Sequence, residues 1–389
     1  MHLSSAGQFH FNYQPTAAGS RPALGPVQVA KSPAVHSRLL AALAALGLLL
    51  AHGSLAGNQF TPGAVWLDTS NNPIQAHGGG ILHTGKTYYW YGEDRTPGGS
   101  GVVACYSSTN LFDWQREGVA LSRFDLPRIN GERCFVERPK VIFNPRTGKY
   151  VMWMHLEQNG YRYSRAGIAV SDTPAGRFKF LQAIRPVANT NAFPTDDNAE
   201  QNLYGGTFRD MNLFVDDDGQ AYVLYSSEGN WTLYIVRLND DFTGPATPLV
   251  EGQTWARVLA RKMREGAAPF TYLHRYYLIT SACTGWAPNA ADCAVATNIL
   301  GPYAMQGNPC VGTNASRTFE AQSTFVLPAP DRPGQFIFMA DEWRPQNLPD
   351  SRYVWLPFTV ATNGTIAIPW RQSWDWSVFS DPLEATPAR

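Results

Sequence analysis

Short alternating strands, each opened by a polar turn and rich in Tyr, Phe or Trp, recur five times along the chain. The copies occupy residues 84–91, 147–154, 218–225, 274–280 and 333–340. Their first strand residues are 86, 149, 220, 275 and 335, so successive copies are 63, 71, 55 and 60 residues apart. This period is too long for helical solenoids and suits one four-stranded blade with its loops. Because a lone blade cannot bury both faces of its sheet, the pattern predicts an all-β, five-bladed β-propeller.

A second repeated feature lies between these copies. Polar turns that contain Gly, Pro or Asn and lead into an aromatic residue or a proline occupy residues 107–114, 171–178, 239–245 and 297–303. We expect each turn to connect the third strand of a blade to its outer strand. Residues 254–264 are the only stretch for which a helix competes with a strand. The pattern of the whole repeat region therefore favours an all-β fold.

The N-terminal residues differ in composition from the repeats. Residues 1–33 are rich in Ser, Ala, Gly and Pro and have no hydrophobic periodicity, which is typical of disorder. An apolar run of 13 residues (39–51) follows, short for a membrane span and suited to a secretory signal, with Ser54 and Ala56 as small residues at a cleavage site. We predict a disordered extension with a signal peptide or membrane anchor in residues 1–57. Residues 58–389 then form one propeller catalytic domain of a secreted or periplasmic protein.

The charge balance restricts the partners. Lys plus Arg and Asp plus Glu both number 31, so the formal net charge is zero. We therefore expect no nucleic-acid partner, no membrane contact beyond an N-terminal anchor, and a neutral substrate. The five cysteines have no metal-site spacing, and Cys283 is expected to form a local disulfide with Cys293, or one of the two with Cys310.

Three carboxylates, Glu137, Asp210 and Glu265, each precede a repeated aromatic strand, at the expected start of an innermost strand. Equivalent positions of neighbouring blades converge on the propeller axis, so the three should share one pocket. Each also has an arginine next to it in sequence, and structural ion pairing is the alternative interpretation. Converging carboxylates in an aromatic-rich funnel suit glycosidic bond cleavage, in which one acid protonates the leaving oxygen and a second group activates water.

Several motifs in order resemble glycoside hydrolase family 43, a family of five-bladed, inverting glycosidases, over about residues 75–379. The resemblance is best to its exo-β-1,3-galactanase branch. It rests on AHGGGIL (76–82), YYWYGE (88–93), ERPKV (137–141), DMNLF (210–214), DDDG (216–219), YSSEGN (225–230), EGAAPF (265–270) and CTGWAPN (283–289).

The resemblance implies roles for individual residues. Glu265 matches the general acid, and Asp210 matches the carboxylate that orients the sugar and tunes the pKa of the acid. The first blade has Ala-His-Gly where the wider family has an aspartate base. Gln322 matches a glutamine proposed to position the water, through its imidic acid form. Glu137 is the chemically simpler base and matches a sugar-pocket carboxylate. We expect Gln322 to position the water and Glu137 to be a required carboxylate of the pocket.

The resemblance also implies residues that bind the sugar. Glu93 is expected to accept a hydrogen bond from the axial hydroxyl of galactose and so to select galactose over glucose. The others are Tyr161, Asn230, Thr284 and Trp286. His77 is interpreted as a packed histidine and not as a metal ligand. No cofactor and no metal are expected, although some family members hold calcium on the axis.

The leading hypothesis is therefore a monomeric, exported exo-β-1,3-galactanase that releases galactose from β-1,3-galactan with inversion. Its partner is an oligo- or polysaccharide. The alternatives are an α-L-arabinofuranosidase or β-galactofuranosidase of the same fold, and a non-catalytic glycan-binding propeller, which the absent aspartate favours and the retained Glu265 and Asp210 oppose.

Overall fold

The computed structural model describes residues 58–98, 101–129, 131–187 and 206–380, which form five antiparallel blades. The first blade contains β1 (His77–Thr84), β2 (Thr87–Glu93), β3 (Gly101–Ser108) and β4 (Gln115–Ser122). A small hairpin, β5 (Arg128–Ile129) and β6 (Glu132–Arg133), leads to the second blade, which contains β7 (Phe135–Asn144), β8 (Lys149–Glu157), β9 (Arg165–Ser171) and β10 (Lys179–Ile184).

The remaining three blades follow in chain order. The third contains β11 (Met211–Val215), β12 (Ala221–Ser227), β13 (Thr232–Arg237) and β14 (Trp255–Val258). The fourth contains β15 (Arg264–Tyr272), β16 (Arg275–Ala282), β17 (Asp292–Ala296) and β18 (Ala304–Gly307). The fifth contains β20 (Gln322–Pro328), β21 (Gln335–Glu342), β22 (Arg352–Val360) and β23 (Ile366–Pro369), with the short β19 (Cys310–Val311) parallel to β23. Three 3₁₀ helices, Ala315–Glu320, Leu348–Asp350 and Trp376–Phe379, complete the elements.

The five-bladed propeller predicted from the repeats is confirmed. Each repeated aromatic phrase runs into the second strand of a blade, namely β2, β8, β12, β16 or β21. The polar turns connect third and outer strands in the first four blades. Residues 254–264, which could have been helical, contribute β14 and the first residue of β15.

The aromatic strands have packed faces because neighbouring blades cover one another. Five hydrophobic clusters each contain residues from two adjacent blades. Between the fifth and first blades, for example, Trp90 and Trp355 lie with ring centroids 4.9 Å apart, and both are about 1% exposed. The ring is also joined near its ends, where Phe60 and Trp374 form two backbone hydrogen bonds of 2.7 and 3.0 Å.

The innermost strands β1, β7, β11, β15 and β20 contact one another around the axis. Irregular pairing follows the polar residue at the start of four of them. In three of these bulges the next residue has a positive φ, namely Gly78 (56°), Arg138 (54°) and Gly266 (59°). A bulge redirects side chains at a strand end, and Glu137, Glu265 and Gln322 face one cavity at the mouth of the propeller.

Two expectations outside the repeats have different outcomes. The extension and signal peptide or anchor predicted for residues 1–57 lie outside the described residues. Among the residues that are described, no helix has the length and apolarity needed to cross a membrane. The disulfide prediction was wrong, since all five cysteines are free. Cys293 is buried in the core between the fourth and fifth blades, whereas the thiol of Cys283 lies 3.6 Å from the Asn230 carbonyl at the propeller mouth.

Candidate active site

The starts of the inner strands and the ends of the second strands meet in one cavity of about 330 Å³. Inner strands supply four of its lining residues, Glu137, Arg138, Glu265 and Gln322, and Asp210 directly precedes the inner strand β11. The second strands and the residues that follow them supply Glu93, Arg95, His155, Cys283 and Trp343, and the loops supply Tyr161, Arg209, Asn230, Gly285 and Trp286. The three carboxylates expected to converge on the axis therefore do so.

Glu265 is the carboxyl group with the clearest acid character. It is 8% exposed, and burial, followed by the negative charge of Asp210, raises its pKa to about 8. Its Oε2 accepts a hydrogen bond from Asn230 Nδ2 (3.1 Å), and its Oε1 accepts one from Gln322 Nε2 (3.0 Å). At neutral pH the group therefore keeps its proton, as a general acid must.

Asp210 lies beside Glu265 and is held by a buried arginine. Its Oδ2 is 2.9 Å from Arg138 Nη2 and accepts a hydrogen bond from the Gly266 N–H at 3.1 Å. Arg138 is 4% exposed and adopts a left-handed φ that is costly for a side chain with a Cβ. Such strain persists where the surroundings require it. Here the bulge turns the guanidinium across the pocket to Asp210, away from its own neighbour Glu137.

Structural ion pairing, the alternative interpretation for the three carboxylates, applies to one arginine of the three. Arg138 pairs with Asp210. Arg209 donates to the Tyr161 carbonyl (3.2 Å), and Arg264 donates to the hydroxyl and carbonyl of Thr280. Glu265 therefore has no arginine that pairs with it directly among the described residues, and its high pKa is consistent with this.

Gln322 uses all four of its hydrogen-bonding positions. Its Oε1 accepts from Arg138 Nη2 and from Trp343 Nε1 (3.0 Å). Its Nε2 donates to Glu265 Oε1 (3.0 Å) and to Ser281 Oγ (2.9 Å). The residue expected to position water is thus in direct contact with the acid.

Glu137 differs from Glu265 in its ionisation. Burial opposes its charge, but His155 and the Tyr161 hydroxyl, 2.6 Å from Oε1, lower its pKa to about 2. His155 Nδ1 is 3.2 Å from Glu137 Oε2, and its Nε2 is 3.2 Å from Glu157 Oε2. Although burial disfavours its charge, the two carboxylates raise the His155 pKa to about 9. Glu137 is therefore an ionised acceptor.

Glu93 is the last residue of β2 and lines the pocket. It accepts a hydrogen bond from the Arg138 N–H (2.9 Å) and pairs with Arg95. Burial raises its pKa, with Arg95 opposing the shift. A Cβ added to Gly78 would lie 2.5 Å from Glu93 Oε1. Glycine at this position of the first blade thus leaves room for the Glu93 carboxylate.

Of the other residues predicted to bind the sugar, three line the cavity and one does not. Asn230, Tyr161 and Trp286 line the cavity, and Trp286 is 42% exposed. Thr284 is in the same loop as Trp286, but its hydroxyl donates to the Ala287 carbonyl at 2.5 Å and it does not line the cavity. Its predicted contact with sugar thus has no geometric support.

The donor groups near the axis fit calcium poorly. His77 is fully buried below the pocket, stacked on Tyr353 and 3.5 Å from Asp341. Calcium takes six to eight oxygen ligands, whereas the Asp341 carboxylate interacts with the buried cations Lys140 and Arg138.

One group in the pocket has donor atoms close enough together for a metal ion. These atoms belong to Glu137, His155 and Asp210 and lie within 4.8 Å of one another. Each is already used, since Glu137 and His155 contact one another and Asp210 contacts Arg138. We derive no reaction step from a metal at either place.

Sequence reasoning missed Arg138, His155, Arg95 and Trp343 as pocket residues. His155, Arg95 and Trp343 stand at or just beyond the ends of second strands, where a hairpin returns to the face on which the inner strand begins. The same repeat pattern, extended to the ends of these strands, would have found them.

Comparison with known proteins gives a consistent result. The family model of glycosyl hydrolases family 43 matches residues 71–326. A β-1,3-galactosidase of that family, solved with galactodeoxynojirimycin, is 41% identical, with a TM-score of 0.73 over 82% of this chain and 100% of that one. No match was found among curated protein sequences.

Two exo-β-1,3-galactanases are also similar. The Clostridium thermocellum protein is 34% identical (TM-score 0.72), with 82% of this chain and 66% of that one covered. A Glu-to-Gln variant of the Phanerochaete chrysosporium protein, solved with β-1,3-galactotriose, is 33% identical (TM-score 0.69), with 82% and 68% covered. This chain thus spans about two thirds of the length of these two relatives.

Proposed function

The chain belongs to glycosyl hydrolase family 43, and we propose that it is an exo-β-1,3-galactanase that removes galactose from the non-reducing ends of β-1,3-galactan. Glycosidases of this family invert the anomeric configuration, so the product of a β-linkage is α-galactose. The observation that carries the proposal is a pair of neighbouring carboxyl groups in one cavity: Asp210 is ion-paired with Arg138, and burial together with Asp210 raises the pKa of Glu265.

Glu265 is the proposed general acid. It gives its proton to the O3 of the leaving galactose as the bond to C1 breaks, and its own charge develops next to Arg138 and the amide of Asn230. General acid catalysis of this kind contributes about 10²–10⁴-fold to a rate. Asp210 keeps the proton on Glu265 before the reaction and, in this proposal, orients the sugar.

For the attacking water, an inverting enzyme needs a group on the opposite side of the sugar, roughly 6.5–9.5 Å from the acid. Gln322 Nε2 is 3.0 Å from Glu265 Oε1, so we assign Gln322 to the side of the acid. We propose Glu137 for the side of the water, because it is ionised and lines the same cavity. The low pKa of Glu137 makes it a weak base. We therefore propose that Glu137 also orients the water molecule whose proton it accepts.

A variant pair tests this assignment. Glu137→Ala with added azide should release α-galactosyl azide, since azide replaces the water and needs no base. Gln322→Ala should show no such rescue, because it leaves Glu137 in place. If azide restored the activity of the Gln322 variant only, Gln322 and not Glu137 would be the residue that positions the attacking water.

Galactose is the proposed sugar because Glu93 lines the pocket and can accept a hydrogen bond from an axial hydroxyl. One similar structure was solved with galactodeoxynojirimycin and another with β-1,3-galactotriose, which supports the same sugar and linkage. Trp286, exposed at the rim, is proposed to stack on the substrate chain.

Product analysis tests the function. Protein comprising residues 58–389 should release galactose as the first product from β-1,3-galactan. It should release no sugar from arabinan. ¹H NMR during the first turnovers should detect the α-anomer before mutarotation, and Glu265→Gln should abolish the product. Arabinose from arabinan would favour the furanosidase alternative, and binding of galactan without product would favour a glycan-binding propeller.

Export and a monomeric state belong to the same proposal. The apolar run of residues 39–51 supports export. N-terminal sequencing of the protein recovered from its native host tests export. The mass of the same protein by light scattering tests the monomeric state.

A further inference from the structure

Trp343, just after β21, contacts Gln322, one of two pocket residues whose amide groups are hydrogen-bonded to Glu265. Its indole Nε1 donates to Gln322 Oε1 at 3.0 Å, and Arg138 Nη2 donates to the same oxygen. The indole ring also lies under the Arg138 guanidinium (5.7 Å) and edge-on to Trp286 (5.3 Å). No role has been assigned to Trp343 so far.

The chemistry of these two donors fixes the Gln322 amide. Indole and guanidinium groups donate hydrogen bonds and cannot accept them. If the Gln322 amide were turned by 180°, its N–H groups would point at the N–H groups of Trp343 and Arg138. If Gln322 were an imidic acid, its O–H would point at the same two donors. The oxygen next to Trp343 and Arg138 is therefore a carbonyl oxygen. The amide nitrogen must then face Glu265 and Ser281, at 3.0 and 2.9 Å.

This orientation decides which oxygen of Glu265 carries the proton. Oε1 accepts from the fixed Gln322 N–H, so the acidic proton belongs on Oε2. Oε2 faces the side chain of Asn230, whose Oδ1 is buried and has no hydrogen-bond partner within the described residues. The Asn230 amide can thus turn to accept the proton of the neutral acid or to donate to the carboxylate.

We propose that Trp343 is a positioning residue for the general acid: with Arg138 it holds the Gln322 amide so that the amide donates to Glu265 Oε1 and the transferable proton stays on Oε2. The inference rests on the proposed function, in which Glu265 protonates the leaving group. Trp343 itself needs no contact with the reacting atoms.

The expected sign follows from the contacts of Glu265. The groups that face it are Asp210, Arg138, Cys283 and the amides of Gln322 and Asn230. A hydrogen bond from Gln322 favours the ionised form and lowers the pKa of the acid. Loss of that bond should therefore move the alkaline limb of the pH profile of kcat/KM to higher pH.

The experiment is a double-mutant cycle read by pH profile. Trp343→Phe, which keeps the ring and removes the N–H, should move the alkaline limb upward by about half a unit, and Gln322→Ala by about one unit. In the Gln322→Ala background, Trp343→Phe should cause no additional shift. Trp286→Phe is the matched control, since Trp286 lines the pocket and touches Trp343 but does not contact Gln322. Its alkaline limb should stay in place whatever happens to KM.

Two results would overturn the inference. One is a Trp343→Phe variant that loses activity with an unmoved alkaline limb, and the other is an equal shift in both backgrounds. If Trp343→Phe does not fold, Ser281→Ala removes the acceptor of the other Gln322 N–H and should shift the limb in the same cycle.

A measurement without turnover separates this inference from the proposed function. ¹³C NMR of glutamate-labelled protein, with the Glu265 signal assigned through Glu265→Gln, gives the titration of Glu265 directly. If wild-type protein releases no galactose, the proposed function fails. An upward titration shift in Trp343→Phe would still support the positioning role, and an unchanged titration would refute it.

Discussion

Replacing Glu265 with glutamine should stabilise the protein while it removes the activity. The wild-type carboxyl group has a pKa of about 8 in the folded chain against an ordinary value of 4.5, because it is buried and lies beside Asp210. The folded state therefore holds a proton that the unfolded state loses above pH 4.5. The stabilisation by this group is complete below pH 4.5 and is lost as pH rises to about 8.

The magnitude follows from the pKa difference. Each unit corresponds to about 1.4 kcal/mol, so the wild type loses about 5 kcal/mol through this group by pH 8, of which about 3 kcal/mol is lost between pH 6 and pH 8. Glutamine has no charge to bury, and the free Oδ1 of Asn230 can accept a hydrogen bond from its amide. The difference between variant and wild type should thus widen by about 3 kcal/mol between pH 6 and pH 8.5.

The assay is urea denaturation of both proteins at pH 6.0 and pH 8.5. Glu320→Gln is the matched control, because Arg317 lowers the pKa of Glu320 and remains charged at both pH values, so the stabilisation by this pair is lost only at acidic pH. The difference between this control and wild type should therefore be the same at both pH values. A Glu265→Gln curve that runs parallel to wild type would refute the assignment of Glu265 as the protonated carboxyl group.

Three other substitutions test separate parts of the site. Asp210→Asn removes the negative charge beside Glu265, so the alkaline limb of the kcat/KM pH profile should fall by about one unit; an unmoved limb would contradict this. Because residue 138 has a φ of 54°, Arg138→Gly should be about 1 kcal/mol more stable than Arg138→Ala by urea midpoint, and equal midpoints would rule out backbone strain. Thr284→Ala should change KM for galactotriose less than about threefold, whereas Trp286→Ala should raise it about tenfold or more, and the reverse order would place Thr284 against the sugar.

The fold was predictable because the repeat is carried by local features. Each second strand begins at a polar turn and buries aromatic residues, and both features are visible in sequence at a period near 60 residues. The convergence of Glu137, Asp210 and Glu265 was predictable for the same reason, since they stand near the starts of inner strands in consecutive blades. Their catalytic roles were implied by the resemblance to the family and stay predictions.

The contacts of the site were not predictable in the same way, because backbone bulges decide them. In sequence Arg138 is the neighbour of Glu137, but the bulge at the start of β7 turns its guanidinium to Asp210 and Gln322. The disulfide prediction failed for a related reason. Ten residues separate Cys283 from Cys293, but one lies at the propeller mouth and the other in the core.

The opposite ionisation of two equivalent glutamates can be traced to their cross-strand partners. Glu137 on β7 is paired in register with His155 on β8, and Glu265 on β15 is paired with Ser281 on β16. His155 is held charged by a second carboxylate, so its partner Glu137 is ionised at all ordinary pH values. Ser281 offers no charge, so burial and Asp210 decide the state of Glu265 and keep it protonated. The residue at the end of the second strand is therefore one determinant of whether this position of a blade holds an anion or an acid, together with Tyr161 beside Glu137 and Asp210 beside Glu265.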